Sequence, residues 1–114
     1  MDIEIFRDYC LSKEMVTEGF PFDETTLVFK VAGKIFCLLS LDLDRGVNLK
    51  FTEENAVAAR EKYDGVIPGY HMNKKYWNTV SLDADIPNNI IFGWVDDSYN
   101  LVKAKIAGNK KKTQ

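Results

Sequence analysis

The chain has 114 residues, of which 46% are hydrophobic and 28% charged, and its formal net charge is −2. This composition is typical of one globular domain that folds without a disulfide or a metal ion. It argues against a chain dominated by nucleic-acid binding, which is usually more basic. No apolar run approaches the ~20 residues that a membrane span requires.

The first residues and the cysteines indicate a reducing compartment. Asp2, Glu4 and Asp8 occupy the positions where a signal peptide carries basic residues. Cys10 and Cys37 fall in a predicted helix and a predicted strand, among apolar neighbours and without metal-ligand spacing. We therefore expect buried free thiols rather than a disulfide, in a soluble cytoplasmic protein.

The first quarter of the chain predicts a helix and then a loop. Asp2 is placed to cap a helix over residues 3–12, whose apolar residues fall on one stripe. Residues 14–25 predict a loop, because glycine, proline and an acidic pair interrupt any periodic pattern of apolar residues that a helix or a strand would show. Phe20 and Phe22 flank the proline of this loop and are expected to anchor it to the core.

Three strands are predicted next. Residues 27–31 and 34–41 are rich in β-branched and aromatic residues and are separated by Ala32-Gly33, so they predict a hairpin. Alanine suits the first position of a type I′ turn badly, which leaves the register of the hairpin open. Residues 47–51 alternate apolar and polar, as a half-exposed strand does.

The remaining elements complete an α+β fold. Thr52 caps a second helix that runs to about Tyr63, and residues 76–82 have the composition of a strand. A last amphipathic helix begins at Pro87 and ends at Gly108. We expect an antiparallel sheet of four to five strands with helices on one face, forming a single domain over residues 1–108. Residues 109–114 predict a disordered basic tail.

The segment 65–78 combines a turn with aromatic and basic residues, which indicates a contact surface. It holds the only histidine, His71, for which acid–base catalysis, ligand contact and a structural hydrogen bond all stay open. No partner for catalysis stands beside His71 in sequence, so a structural role is favoured. Lys74 and Lys75 are suited to phosphates, whereas Trp77 is interpreted as a core residue.

Other chemistry is disfavoured by spacing. Lys30, Lys34 and Lys50 lie in or beside the predicted strands, where they could meet phosphates or simply solubilise an edge. The carboxylate pairs near residues 23 and 42 lack the ligand spacing of a cation loop. The chain has no phosphate-binding glycine loop and no nucleophile motif. We therefore expect no catalytic residues, no metal and no cofactor.

Five blocks of sequence follow one another along the chain: Phe20-Pro-Phe-Asp-Glu-Thr-Thr-Leu-Val-Phe-Lys-Val31, Gly33-Lys-Ile-Phe36, Val47-Asn-Leu-Lys50, residues 65–80 and Ser98-Tyr-Asn-Leu-Val102. Together, in this order, they resemble one family of small bacterial proteins, MmcQ/YjbR. The resemblance covers nearly the whole chain. It implies a fold similar to the frataxin/CyaY-like and double-wing arrangement, and DNA binding by analogy with double-wing proteins. The positions that match are Lys30, Lys34, Lys50, Lys74 and Lys75, with His71, Trp77 and Asn78 beside them.

Three hypotheses follow. The first is a non-enzymatic DNA-binding protein in which lysines meet phosphates and Asn78 or His71 contacts bases or sugars. The second is a module for a small anionic ligand or a protein partner, centred on the His71 segment. The third is an enzyme that uses His71 as acid or base. In each case we expect a monomer without a membrane partner.

Overall fold

A computed structural model of the chain describes residues 1–42, 46–69 and 72–112, with side chains up to residue 106. Within these residues, three helices lie against a six-stranded antiparallel sheet of order β1-β2-β3-β4-β6-β5. The helices are α1 (Ile3–Leu11), α2 (Glu53–Lys62) and α3 (Asn88–Lys112). The strands are β1 (Val16–Gly19), β2 (Thr26–Val31), β3 (Lys34–Ser40), β4 (Gly46–Lys50), β5 (Val66–Pro68) and β6 (Trp77–Ser81). The predicted α+β class is confirmed, and the sheet has more strands than predicted.

The core forms between the helices and one face of the sheet. Alternate residues of β2, Leu27, Phe29 and Val31, join one buried cluster with residues from all three helices. Cys10 and Cys37 belong to this cluster, and both are free thiols, as predicted. Burial is the main reason that the pKa of Cys37 is raised well above its ordinary value. These thiols are therefore packing residues.

The segment predicted as a loop contains an edge strand. Strand β1 pairs with β2 in antiparallel fashion, and Val16 stands opposite Val31. Glu18 adds a bidentate ion pair to Arg7 of α1, with Arg7 Nε 2.8 Å from Glu18 Oε2. This pairing comes from residues distant in sequence, so the local polar composition did not reveal it.

Phe20 and Phe22 do not anchor the following loop to the core. Their exposed fractions are 50% and 66%, so the prediction was wrong. The core cluster is made of residues of the sheet and the helices, and neither ring belongs to it or packs against it.

The β2–β3 hairpin is confirmed and its turn is defined. Ala32 and Gly33 have φ values of 48° and 84°, so both central residues adopt the positive φ of a type I′ turn. Ala32 accepts this strained conformation while its N–H donates to Met15 O at 3.1 Å. A register shift between Phe29 and Lys30 then displaces the end of the hairpin.

The C-terminal half contains an edge strand and a helix that is longer than predicted. Strand β5 pairs with β6, with Val66 opposite Val80, and forms the second edge of the sheet. Helix α3 continues past Gly108 to Lys112, because one glycine weakens a helix by only ~1 kcal/mol and does not break its backbone. The predicted end at Gly108 was therefore wrong, while the division into a domain and a tail stays a prediction. Across the described residues, no helix is long and apolar enough to cross a membrane.

Candidate nucleic-acid interface

The sheet collects lysines at one of its ends. Because β3, β4 and β6 are antiparallel neighbours, the start of β3, the end of β4 and the start of β6 lie at the same end. Lys34 is the first residue of β3 and Lys50 the last of β4, while Lys75 comes two residues before β6. We call this the basic end, formed by Lys30, Lys34, Lys50, Lys74, Lys75 and Lys105.

Carboxylates collect at the opposite end. Asp23 and Glu24 precede β2, Asp42 follows β3, and Asp83 follows β6. The carboxylate of Asp23 accepts the backbone N–H groups of Thr25 and Thr26 at 2.9 and 2.7 Å, which lowers its pKa. We call this opposite end the acidic end. The separation of charge is partial, because Glu53 pairs with Lys75 and Glu18 lines the same hollow as Lys30.

Three of the lysines surround a cleft beside α3. A cavity of about 240 Å³ is lined by Lys34, Ile35, Lys50, Val102, Lys105 and Ile106, which together we call the lysine cleft. Burial, and then the charge of Lys105, lower the pKa of Lys50. Among the described residues, none of the three ammonium groups forms an ion pair with a carboxylate. The cleft therefore holds uncompensated positive charge against an apolar floor.

The turn before β6 presents two further lysines. Lys74 and Lys75 are exposed, and Lys75 Nζ lies 3.9 Å from Glu53 Oε2 in a solvated ion pair. The backbone of the turn is fixed, because Lys75 N donates to Asn73 Oδ1 at 3.0 Å and Arg60 Nη1 donates to Lys74 O at 3.3 Å. The two ammonium groups extend from a positioned backbone.

Asn78 belongs to the interior. Its side chain is fully buried, donates to Ala56 O at 3.1 Å and accepts from Arg60 Nη1 at 2.8 Å. It joins β6 to α2 and, through Arg60, to the turn that carries Lys74. The predicted contact of Asn78 with bases or sugars is therefore wrong, since both ends of its amide are occupied inside the protein.

The predicted site residues form three groups rather than one. Lys34 and Lys50 line the lysine cleft, and Lys74 and Lys75 lie on the turn before β6. Lys30 lines a separate hollow of about 300 Å³ with Thr17, Glu18, Gly19, Phe20, Pro21 and Val28. His71 lies outside the described residues. Trp77, predicted as core, is half-buried and stands opposite Lys50 in the β4–β6 pair.

Lys105 was missed as a site residue. From sequence, Lys103 and Lys105 were interpreted as solvated charges that suit a helix C-terminus, yet Lys105 lines the lysine cleft with Lys34 and Lys50. The order of the helices and strands along the chain could have indicated this position of Lys105. Helix α3 begins after β6 at the acidic end, so its C-terminal part returns to the basic end.

Over residues 1–42, 46–69 and 72–112, no group of three or more histidine, cysteine, aspartate or glutamate side chains is placed to hold an ion.

Two further hollows lie between α2 and α3, one of about 280 Å³ and one of about 220 Å³. They share Asn55 and Asp97, and the smaller one is lined by Trp94 and Tyr63.

Comparisons with known proteins agree on one family. The model of the YjbR family matches residues 11–101. The chain is 38% identical to the uncharacterized protein YbdF of Escherichia coli O157:H7, over 96% of this chain and 90% of that protein. It is 30% identical to the uncharacterized protein YjbR of Escherichia coli K12, over 98% and 96% of the two chains.

A solved structure has the same fold. The crystal structure of the Deinococcus radiodurans protein DR2400, described as a DUF419 domain, superposes with a TM-score of 0.82 at 34% identity. The similarity covers 88% of this chain and 77% of that one.

Proposed function

The chain belongs to the YjbR family, and we propose that it is a non-enzymatic protein that binds nucleic acid by its phosphates at the basic end. Phosphates dominate the affinity of proteins for nucleic acid, and lysine ammonium groups neutralise them. The proposal keeps the DNA-binding role expected from the resemblance and the five predicted lysines, adds Lys105 and leaves out the buried Asn78.

The observation that carries this proposal is the uncompensated charge of the lysine cleft. Lys34, Lys50 and Lys105 meet around one cavity, and no carboxylate of the described chain pairs with them. Bringing like charges together in a partly buried place costs free energy, which an anion bound between them recovers. Lysines that only keep a protein soluble do not need to be grouped around one cavity.

The turn lysines extend the same surface. Lys50 stands opposite Trp77 in the β4–β6 pair, and Phe51 N donates to Tyr76 O at 2.6 Å. The end of β4 is thereby joined to the turn that carries Lys74 and Lys75. A strand whose phosphate lies in the lysine cleft has further ammonium groups within reach along this end of the sheet.

Affinity measured against salt tests the proposal. Contacts of the basic end to three to five phosphates predict a slope of log K against log salt of about −2 to −3.5 for single strands. Fluorescence anisotropy with short single- and double-stranded DNA and RNA measures this slope. Lys74→Gln/Lys75→Gln lowers the affinity and flattens the slope. Lys62→Gln, which removes an exposed lysine whose Nζ lies 5.5 Å from the Tyr63 ring centroid, leaves both unchanged.

The same titration gives the result that would overturn the proposal. Absence of binding at low salt, or equal slopes for the double variant and the wild type, removes the basic end as a phosphate surface. The alternative of a small-ligand or protein-binding module places its partner at His71, outside the described residues. The present proposal rests on the lysines alone.

A further inference from the structure

We propose that the lysine cleft selects a phosphate monoester, the dianionic group at a phosphorylated strand end or on a nucleotide, over the phosphodiesters inside a strand. This inference deepens the proposed function and rests on it for the nature of the ligand. It assigns different roles to the lysine cleft and to the turn lysines.

The shape of the lysine cleft favours the terminal phosphate of a nucleic-acid strand over a phosphate inside the strand. Its volume of about 240 Å³ is below the roughly 300–1,000 Å³ of pockets that hold drug-sized ligands, and Ile35, Val102 and Ile106 form its apolar lining. A phosphodiester continues on both sides and must cross such a cleft. A terminal monoester has one substituent only and enters end-on.

The charge of the lysine cleft favours the same ligand. A phosphate monoester carries about −1.5 to −2 at pH 7, because its second pKa is ~6, whereas a diester carries one negative charge. Three lysines face this space, and Lys50 is partly withdrawn from water. Each additional negative charge therefore gains more here than on an exposed surface, where water screens the interaction.

The turn lysines have the opposite character. Lys74 and Lys75 are exposed, and Lys75 is already shared with Glu53. Exposed lysines of this kind can contact any phosphate along a nucleic-acid strand and do not distinguish its end. Recognition of an end should therefore depend on Lys50 and Lys105, while general affinity depends on both groups.

Matched oligonucleotides test the inference. Single strands with a 3′ fluorescent label and either a 5′-phosphate or a 5′-hydroxyl are compared by anisotropy. An analogous 5′-labelled pair tests the 3′ end. We expect about tenfold or tighter binding of a phosphorylated end. Lys50→Met and Lys105→Gln bring the affinity ratio of the pair close to one, and their thermal transitions report that both variants are folded.

Lys103→Gln is the matched control. It removes the same charge from the same helix, but Lys103 does not line the cleft and its Nζ lies 5.4 Å from the Tyr99 ring centroid. This variant keeps the affinity ratio. Competition with a nucleoside 5′-monophosphate and with inorganic phosphate then distinguishes the source of the monoester. Displacement at similar concentrations points to a free nucleotide or phosphate, and displacement by phosphorylated strands alone points to a strand end.

The two proposals fail in different ways. Equal affinity for phosphorylated and hydroxyl ends overturns the monoester inference but leaves salt-dependent strand binding in place. A preference that survives in both Lys50→Met and Lys105→Gln shows that another part of the protein recognises the end, and also overturns it. Absence of binding to every oligonucleotide overturns both proposals.

Discussion

Ser98 of α3 accepts a hydrogen bond from the backbone N–H of Lys50 at 2.9 Å and so joins the long helix to the last residue of β4. The same hydroxyl donates to Phe36 O at 2.6 Å. The paired residues of β3 and β4 end at Cys37 and Leu49, so Ser98 bridges the two strands where their ladder opens. A fully buried serine thereby fixes the backbone from which Lys50 enters the lysine cleft.

Replacing Ser98 by alanine should destabilise the fold by about 2–4 kcal/mol, because it leaves a backbone donor and a backbone acceptor without a partner. Urea unfolding monitored by circular dichroism measures this loss. Ser12→Ala is the control, since its hydroxyl bonds Tyr9 O at an exposed position and should change stability by less than ~0.5 kcal/mol. Equal stability of the two variants would contradict the bridging role.

Asn78→Leu tests whether the buried amide is structural. The substitution leaves Ala56 O and Arg60 Nη1 without the partner that they have in the wild type, so we expect a loss of about 2–3 kcal/mol. Thr79→Val on the same strand is the control and should cost less than ~1 kcal/mol, because its hydroxyl bonds Asn48 on a partly exposed surface. An Asn78→Leu protein of wild-type stability that binds nucleic acid poorly would instead return Asn78 to the contact surface.

Lys50→Met should raise stability while it lowers affinity for nucleic acid. Burial and Lys105 lower the pKa of Lys50, so the charged form is disfavoured in the folded state. Between that lowered pKa and its ordinary value, the unfolded chain binds more protons than the folded one, and wild-type stability rises with pH. The advantage of the variant is therefore present at neutral pH and lost as pH rises through this window.

Thermal unfolding from neutral to alkaline pH measures this difference between the variant and the wild type. Lys103→Met, which removes a lysine outside the cleft, should show no comparable gain. A Lys50→Met protein with a lower melting temperature at neutral pH would indicate that Lys50 contributes to the fold rather than to a ligand site.

The hydroxyl of Tyr9 contributes stability that depends on alkaline pH. Its hydroxyl donates to Asp96 Oδ1 at 2.7 Å, and this bond, together with burial and the charge of Asp96, raises the pKa of Tyr9 to about 12. Between the ordinary value near 10 and this raised value, the folded chain holds the proton that the unfolded chain loses. The stabilisation is therefore complete below the ordinary value and is lost as pH rises through about 12.

The ultraviolet absorbance of ionised tyrosine, followed during an alkaline titration, measures this pKa directly. Wild-type protein should show a late-titrating ring that Tyr9→Phe lacks. Asp96→Asn is the complementary variant, because it keeps an acceptor but removes the charge. Its titration should move toward the ordinary value, and a late ring that persists in Tyr9→Phe would assign the effect to another tyrosine.

Local signals in the sequence predicted much of the fold. Asp2 caps α1 by accepting the N–H groups of Glu4 and Ile5, and Thr52 caps α2 by accepting that of Asn55. The Ala32-Gly33 hairpin was also predictable, since two strands of β-branched and aromatic residues flank a short turn. These features depend on neighbours within a few residues.

The errors concern long-range partners. Strand β1 exists because β2 supplies a partner, and the exposure of Phe20 reflects a core that other elements already fill. Asn78 was assigned to the contact surface because it stands beside Lys74 and Lys75 in a block that resembles the family. Its burial depends on Ala56 and Arg60, which lie about twenty residues earlier in the chain.

Most lysines of the candidate site were predicted from the sequence, but their positions relative to one another were not. The lysines at 34, 50, 74 and 75 were named from sequence, yet their division between the lysine cleft and the turn depends on the sheet order. Lys105 enters the site only because α3 returns along the sheet. The sequence shows which residues are charged, whereas the topology of the sheet determines which of these residues lie close together.

Mapping of the contact surface by NMR tests the central claim most directly. A ¹⁵N-labelled sample is titrated with a short single-stranded oligonucleotide at low salt, and backbone amide shifts are followed. The account predicts that shifts concentrate around Lys34, Lys50, Lys75 and Lys105, reverse on addition of salt, and spare the acidic end around Asp23 and Asp42. Shifts confined to the acidic end, or none at all, would contradict it.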